Sequence, residues 1–152
     1  MKYIKFLIIN IIAFSIFFLL FSLLFPSVVH TSKTINIGAD EKKIAENIRN
    51  TDTWKRWNEF VRSDSVRVNL MNNSTDTIIT ELVNNKGQKR RAIFIIINDH
   101  SDSTIVNWNL EERIRWYEPW KKFAAVLSES KYGYAMEISL GRLKKQMETL
   151  VP

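Results

Sequence analysis

The sequence predicts an α+β fold in which a curved antiparallel sheet packs on a long C-terminal helix, preceded by one transmembrane helix. Three observations carry that expectation. An uncharged apolar run fills residues 6–25. Through the middle of the chain apolar residues recur at period two, with turn-forming residues between the runs. A helical stripe then closes the chain, with Tyr132, Met136, Leu140, Leu143, Met147 and Leu150 spaced 4, 4, 3, 4 and 3.

In the run from Phe6 to Phe25 only Asn10, Ser15 and Ser22 are not apolar. A helix of that length covers roughly the 30 Å hydrocarbon core of a bilayer. It has no polar face, so it does not read as a buried helix of a globular core. Lys2 and Lys5 make residues 1–5 a short basic head, as signal peptides also have. The apolar run is longer than the usual core of a cleaved signal peptide, and Ser27-Val28-Val29-His30 is a weak cleavage signal, so an uncleaved anchor is expected. The head is expected to stay cytoplasmic, making the chain a single-pass protein of the cytoplasmic membrane with its remainder on the outer side.

Composition reinforces this division. Six of the nine Phe lie in the first 25 residues, whereas all five Trp follow residue 50. Zero cysteines among 152 residues exclude a disulfide scaffold, a thiolate zinc site and a thiol nucleophile. The formal charge is +6, but residues 31–152 hold 20 Lys+Arg against 16 Asp+Glu. That modest excess, without a recognition motif, points away from nucleic acid.

Residues 26–32 read as a linker, because Pro26 stops the helix and the polar residues after it need water. Residues 33–150 then form one domain. Lys33 to Ile37 is a short strand, and Asp40 is an N-cap for a helix over 41–49 carrying Ile44 and Ile48. Trp54, Trp57 and Val61 mark a second short helix. Strands follow at Val66–Leu70, Thr77–Val83, Arg91–Ile97 and Thr104–Tyr117, with Asn84-Asn85-Lys86-Gly87 as a hairpin turn. On the last strand Val106, Trp108, Leu110, Ile114 and Trp116 share one face. Pro119 starts a short helix through Leu127, and a longer one covers about 131–149. A sheet with one dry face and a helix with one apolar stripe need each other, so the helix is expected to lie across the sheet.

This order resembles the START-like helix-grip superfamily (SRPBCC), particularly its polyketide cyclase/dehydrase-like bacterial branch. The residues that carry the likeness are Ile35-Asn36-Ile37-Gly38-Ala39-Asp40, Trp54-Lys55-Arg56-Trp57-Asn58 and Val106-Asn107-Trp108-Asn109-Leu110. Trp116-Tyr117-Glu118-Pro119-Trp120-Lys121-Lys122-Phe123 and the stretch from Tyr132-Gly133 to Lys145 continue it. The resemblance implies a helix-grip fold with an apolar cavity between sheet and helix that takes lipids, polyketides or other hydrophobic small molecules. Two departures stand out. About 15 residues separate Phe60 from Asp76, so the fold is shortened by at least one hairpin. Ala45 also stands where relatives often carry a large apolar residue.

Inward positions give a ligand-binding set of Trp57, Ile95, Trp108, Leu110, Met136 and Leu140. Strict alternation places Glu112 between Leu110 and Ile114 on the inner face, where a desolvated carboxylate could serve as a general base. A β-bulge at Glu111-Glu112 that turns the side chain to water is the simpler expectation, because an unpaired buried charge is costly. His100 lies in a turn flanked by Asp99 and Asp102 and reads as a surface residue, and His30 has no assigned role. Trp54, Trp116 and Trp120 are expected in the core with Trp57 and Trp108. No metal site and no cofactor are expected. Lys89-Arg90-Arg91 and Lys144-Lys145 read as solvated faces, or as faces drawn to anionic lipid.

The expected function is that of a membrane-anchored domain that binds a hydrophobic small molecule or lipid without catalysis. Its partners are then the bilayer, through residues 6–25, and that ligand. An alternative is a cyclase, dehydratase or hydrolase acting on a hydrophobic substrate through Glu112. A further one is a domain with a filled interior that serves as a scaffold or interaction module.

Overall fold

A computed structural model describes residues 2–62, 65–74, 76–99 and 103–149. Helix α1 (Lys2–Ser22) leads into strand β1 (Val28–Ile37), and α2 (Glu41–Arg49) and the single-turn α3 (Trp54–Trp57) follow. Strands β2 (Val66–Asn73), β3 (Thr77–Asn84), β4 (Lys89–Asp99) and β5 (Ser103–Arg113) then make a meander, and α4 (Pro119–Thr149) closes the chain. The five strands form one antiparallel sheet in the order β1-β5-β4-β3-β2. The first strand returns to pair with the last, and α4 lies across the inner face so formed.

Local chemistry explains the elements. Asp40 accepts hydrogen bonds from the backbone N–H groups of Lys42 (2.8 Å) and Lys43 (3.3 Å) and starts α2, as its N-cap position predicts. In the β3–β4 hairpin Asn84 Oδ1 accepts from Lys86 N and Gln88 N, and Gly87 takes the positive φ of 72° that the turn requires. On α4 the predicted stripe from Tyr132 to Met147 faces the sheet, while Leu150 lies outside the described residues. Gly133 of α4 faces β1, where a Cβ would lie 3.4 Å from Lys33 Cε and 3.9 Å from Thr31 Cγ2.

Several boundaries differ from expectation for identifiable reasons. Helix α1 ends at Ser22 rather than Phe25, because Leu23, Leu24 and Phe25 donate to carbonyls three residues back and tighten the chain into turns. β1 begins at Val28, five residues before Lys33, so most of the expected linker is sheet: Val28 pairs with Arg113 and Ser32 with Asn109. The two expected C-terminal helices are one 31-residue helix, since neither Pro nor Gly interrupts residues 120–132. β5 stops at Arg113, which leaves Trp116 outside the sheet. Between Phe60 and Asp76 a single edge strand, β2, stands where the resemblance implies more sheet.

Candidate functional site

The inner face of the sheet is legible as rows of cross-strand neighbours. One row runs Leu82, Arg90, Glu112, Val29; the next runs Thr80, Ala92, Leu110, Thr31; the third runs Ile78, Phe94, Trp108, Lys33. Thr80 and Ala92 are small, so the middle row stands lower than the aromatic row beside it. Above these rows lie the α3 tryptophans and the α4 stripe.

Five of the six predicted binding residues converge here. Trp57, Trp108, Leu110, Met136 and Leu140 are buried in one cluster with Phe94 and Trp54. The Phe94 and Trp108 rings stack at 5.0 Å, and Trp57 meets Trp108 edge-on at 6.2 Å. Phe60 packs 5.8 Å from Trp108 and 6.2 Å from Tyr132, which carries the aromatic cluster out to the row of Arg90 and Glu112. Ile95 does not join them. The buried residues of β4 are Ala92, Phe94 and Ile96, so period two puts Ile95 on the outer face, between Thr77 and Asn107 of the neighbouring strands.

The cluster is not fully satisfied in hydrogen bonding. Trp54 Nε1 donates to Ile48 O at 2.7 Å. Among the described residues, Trp57 Nε1, Trp108 Nε1, Thr80 Oγ1 and Asn58 Nδ2 are buried without a partner. Buried polar atoms are nearly always paired, so such a group inside an aromatic core requires a reason.

Glu112 faces inward, and the expected bulge is absent. The β4–β5 register runs unbroken through Arg91↔Glu111 and Arg90↔Glu112. The carboxylate is not alone, which removes the cost that favoured a bulge: Arg90 Nε donates to it at 2.9 Å, both side chains being largely buried. Arg90 also donates to the Tyr132 hydroxyl at 2.7 Å, and its guanidinium sits 4.5 Å from that ring centroid. Burial raises the Tyr132 pKa above its ordinary value, with Arg90 opposing and Glu112 reinforcing the shift. Arg90, expected on a solvated basic face, is instead largely buried against Glu112, and Tyr132 was expected only as part of the apolar stripe of α4; neither of them nor Thr80 was read as a site residue. Counting both strands back from the Asp99–Ser103 turn would have set Arg90 opposite Glu112.

The other candidates disperse. His30 lies 3.4 Å from Glu111 on the outer face, and His100 lies outside the described residues. Among the described residues no group of three or more His, Asp or Glu could hold a metal. Trp116 and Trp120, expected in the core, are 59% and 71% exposed. Trp116 follows the end of β5, and Trp120 is drawn onto α1, where it lies 4.4 Å from Phe18.

Helix α1 is long and apolar enough, with a mean hydropathy of 2.6 over Tyr3–Ser22, to be a membrane span or a signal sequence. It is joined to the domain by Phe123, whose ring lies 5.1 Å from Phe18 and 4.7 Å from Phe25. Lys122, buried at 2% exposure, donates to the carbonyls of Ser22 and Phe25 at 3.2 Å each.

No protein-family model matches the chain, and no curated protein does. Solved structures do. A START superfamily protein from Mycobacterium smegmatis superposes with a TM-score of 0.60 at 15% identity, over 80% of this chain and 99% of that one. DynU16, described as a putative protein in the dynemicin biosynthetic locus, gives 0.59 at 10% identity over 79% of this chain. The di-domain ARO/CYC protein StfQ from the steffimycin biosynthetic pathway gives 0.56 at 10% identity over 80%. The superposition spans 47% of DynU16 and 51% of StfQ, about half of each. The chain therefore folds as a START-like helix-grip domain of α+β class, the fold it shares with these three proteins.

Proposed function

We propose that this chain is a membrane-anchored START-like domain that binds one hydrophobic small molecule or lipid carrying a polar group, without catalysing a reaction on it. The observation that carries the reading is the pair of unpartnered indole donors, Trp57 Nε1 and Trp108 Nε1, buried on facing elements of an aromatic interior. An unmet buried donor costs about 1–3 kcal/mol, which an acceptor on a bound molecule would offset. Small-molecule sites combine this kind of lining, mostly apolar and aromatic, with a few polar groups that fix orientation. The lining is Trp57, Trp108, Leu110, Met136 and Leu140 from the predicted set, joined by Thr80. Glu112 is engaged by Arg90 and serves as the structural partner of that guanidinium.

Retention of α1 as an anchor is supported by its integration with α4. Cleavage after Ser27 would strip Lys122 of both its carbonyl partners and uncover Phe123. A retained anchor holds the domain at a bilayer, raising the local concentration of membrane-derived ligands. The test is native mass spectrometry of the full-length chain released from detergent micelles, paired with titration by a fluorescent fatty acid. A stoichiometric apolar adduct and saturable dye binding, both weakened in Trp108→Phe, are expected. A bare chain that takes up no dye saturably would overturn the proposal and favour a scaffold with a filled interior.

A further inference from the structure

The end of the domain from which α1 emerges carries a feature that ligand binding does not use. The register sets Val28, the first residue of β1, opposite Arg113, the last of β5, and Ser27 O accepts from Ile114 N at 2.8 Å. The β3–β4 turn lies at this same end, because Arg90 is opposite Glu112 and Lys86 is four residues before it. Between that turn and the β5–α4 connection runs an open groove of about 420 Å³. Lys86, Lys89, Arg113, Arg115 and Lys121 line it, against only two carboxylates, Glu112 and Glu118.

Both carboxylates are engaged. Glu112 is held by Arg90, and Glu118 by Lys121 at 2.6 Å, while Lys89 pairs outward with Glu81. Among the described residues Lys86, Arg113 and Arg115 have no carboxylate within ion-pairing distance, so the groove holds a cationic surplus. Beside it stand three exposed aromatics, Trp116, Tyr117 and Trp120, where a soluble domain would tuck such rings inside. Trp120 lies against Phe18, one turn before the C-terminal end of α1, so the Trp120 edge of this fringe is level with the end of the apolar helix. Tyr and Trp concentrate at the membrane–water boundary, and basic clusters immediately beside a span attract anionic headgroups.

We infer that this basal face docks on the bilayer that α1 enters, with the groove taking the phosphate of an anionic phospholipid and the aromatic fringe settling among the headgroups. Arg113 and Arg115 offer planar guanidinium forks suited to a phosphate, and Lys86 adds a mobile charge from the turn. Docking fixes the tilt of the domain, so the gripping face stands at a set height above the lipid. The inference rests on the reading of α1 as a retained anchor.

The test uses the full chain with Trp120→Phe. Trp116 is then the one exposed indole, since Trp54, Trp57 and Trp108 are fully buried. The protein is reconstituted into vesicles of phosphatidylcholine alone or of equal parts phosphatidylcholine and phosphatidylglycerol, and Trp116 is quenched with acrylamide. The expected result is a severalfold lower quenching constant in the anionic vesicles. That protection is lost at high salt and in Lys86→Glu/Arg113→Glu, with an unchanged thermal melt. Equal quenching in both vesicles, or protection that survives the charge reversal, overturns the docking while leaving the anchor. A chain that washes out of both vesicle types at alkaline pH overturns the anchor and the docking with it.

Discussion

The ammonium of Lys122 lies 3.2 Å from the carbonyl oxygen of Ser22, one hundred residues earlier in the chain. Ser22 O already accepts from Phe25 N in the closing turn, so the ammonium adds a second hydrogen bond to that oxygen and offsets the negative dipole end of the helix. In this protein the cation comes from the first turn of α4, the helix that grips the sheet. One side chain thus ties the apolar leader to the domain. Lys122→Met keeps most of the stem packing but removes the donor, and is expected to cost about 1–3 kcal/mol at this junction. Limited proteolysis should then cut faster between residues 23 and 27, with the core melt little changed. Unaltered cleavage would mean that the aromatic contacts of Phe123 suffice.

Arg90 and Glu112 are 18% and 16% exposed, so each would be left poorly solvated without the other. Arg90→Leu and Glu112→Leu are each expected to cost about 1–3 kcal/mol, and the double variant less than the sum of the two. Denaturant midpoints for the four proteins of the cycle measure this. Strict additivity would show that the pair does not couple and would return Glu112 to consideration as a free carboxylate.

Three buried tryptophans separate packing from hydrogen bonding. Trp54 donates to Ile48 O, whereas Trp57 and Trp108 donate to nothing in the described chain. Tryptophan to phenylalanine removes volume at all three but a satisfied hydrogen bond only at the first. Trp54→Phe is therefore expected to be more destabilising than Trp57→Phe by about 1 kcal/mol, read from urea unfolding. If Trp57→Phe were the costlier change, its indole N–H would have a partner after all.

The phenol of Tyr132 is held above its ordinary pKa of 10.0, chiefly by burial, so the folded state keeps this proton more tightly than the unfolded chain. Below the ordinary value both states are neutral and the contribution to stability is fully present. As pH rises past it the unfolded chain ionises first, and stability falls until the folded phenol ionises as well. Tyr132→Phe should flatten that part of the melting-temperature profile above about pH 10. Alkaline melts that superpose for the two proteins would contradict it.

Much of the architecture was legible from spacing. Period two in Val106, Trp108 and Leu110 identified the inner face of β5, and the α4 stripe identified the surface that covers it; both lie in one cluster. The run of residues 6–25 announced an apolar helix, and Asp40 and Gly87 marked a cap and a turn that the fold contains. Errors came where local pattern is silent about length or neighbours. The alternation of β5 carried Trp116 onto the sheet, but the strand ends at Arg113 and the ring turns to solvent. Ile95 sits in a run that is apolar on both faces, where period two has no contrast to read.

Periodicity states which side chains share a face, because that follows from the geometry of a single segment. It does not state what stands opposite. Lys122 on Ser22 and Trp57 against Trp108 join elements whose approach no local rule encodes, and although the hairpin register sets Arg90 opposite Glu112, only the fold buries that pair together. Charge neutralisation, capping and an unmet donor are properties of such pairs. They come into being only when long-range packing brings the partners within hydrogen-bonding or van der Waals reach.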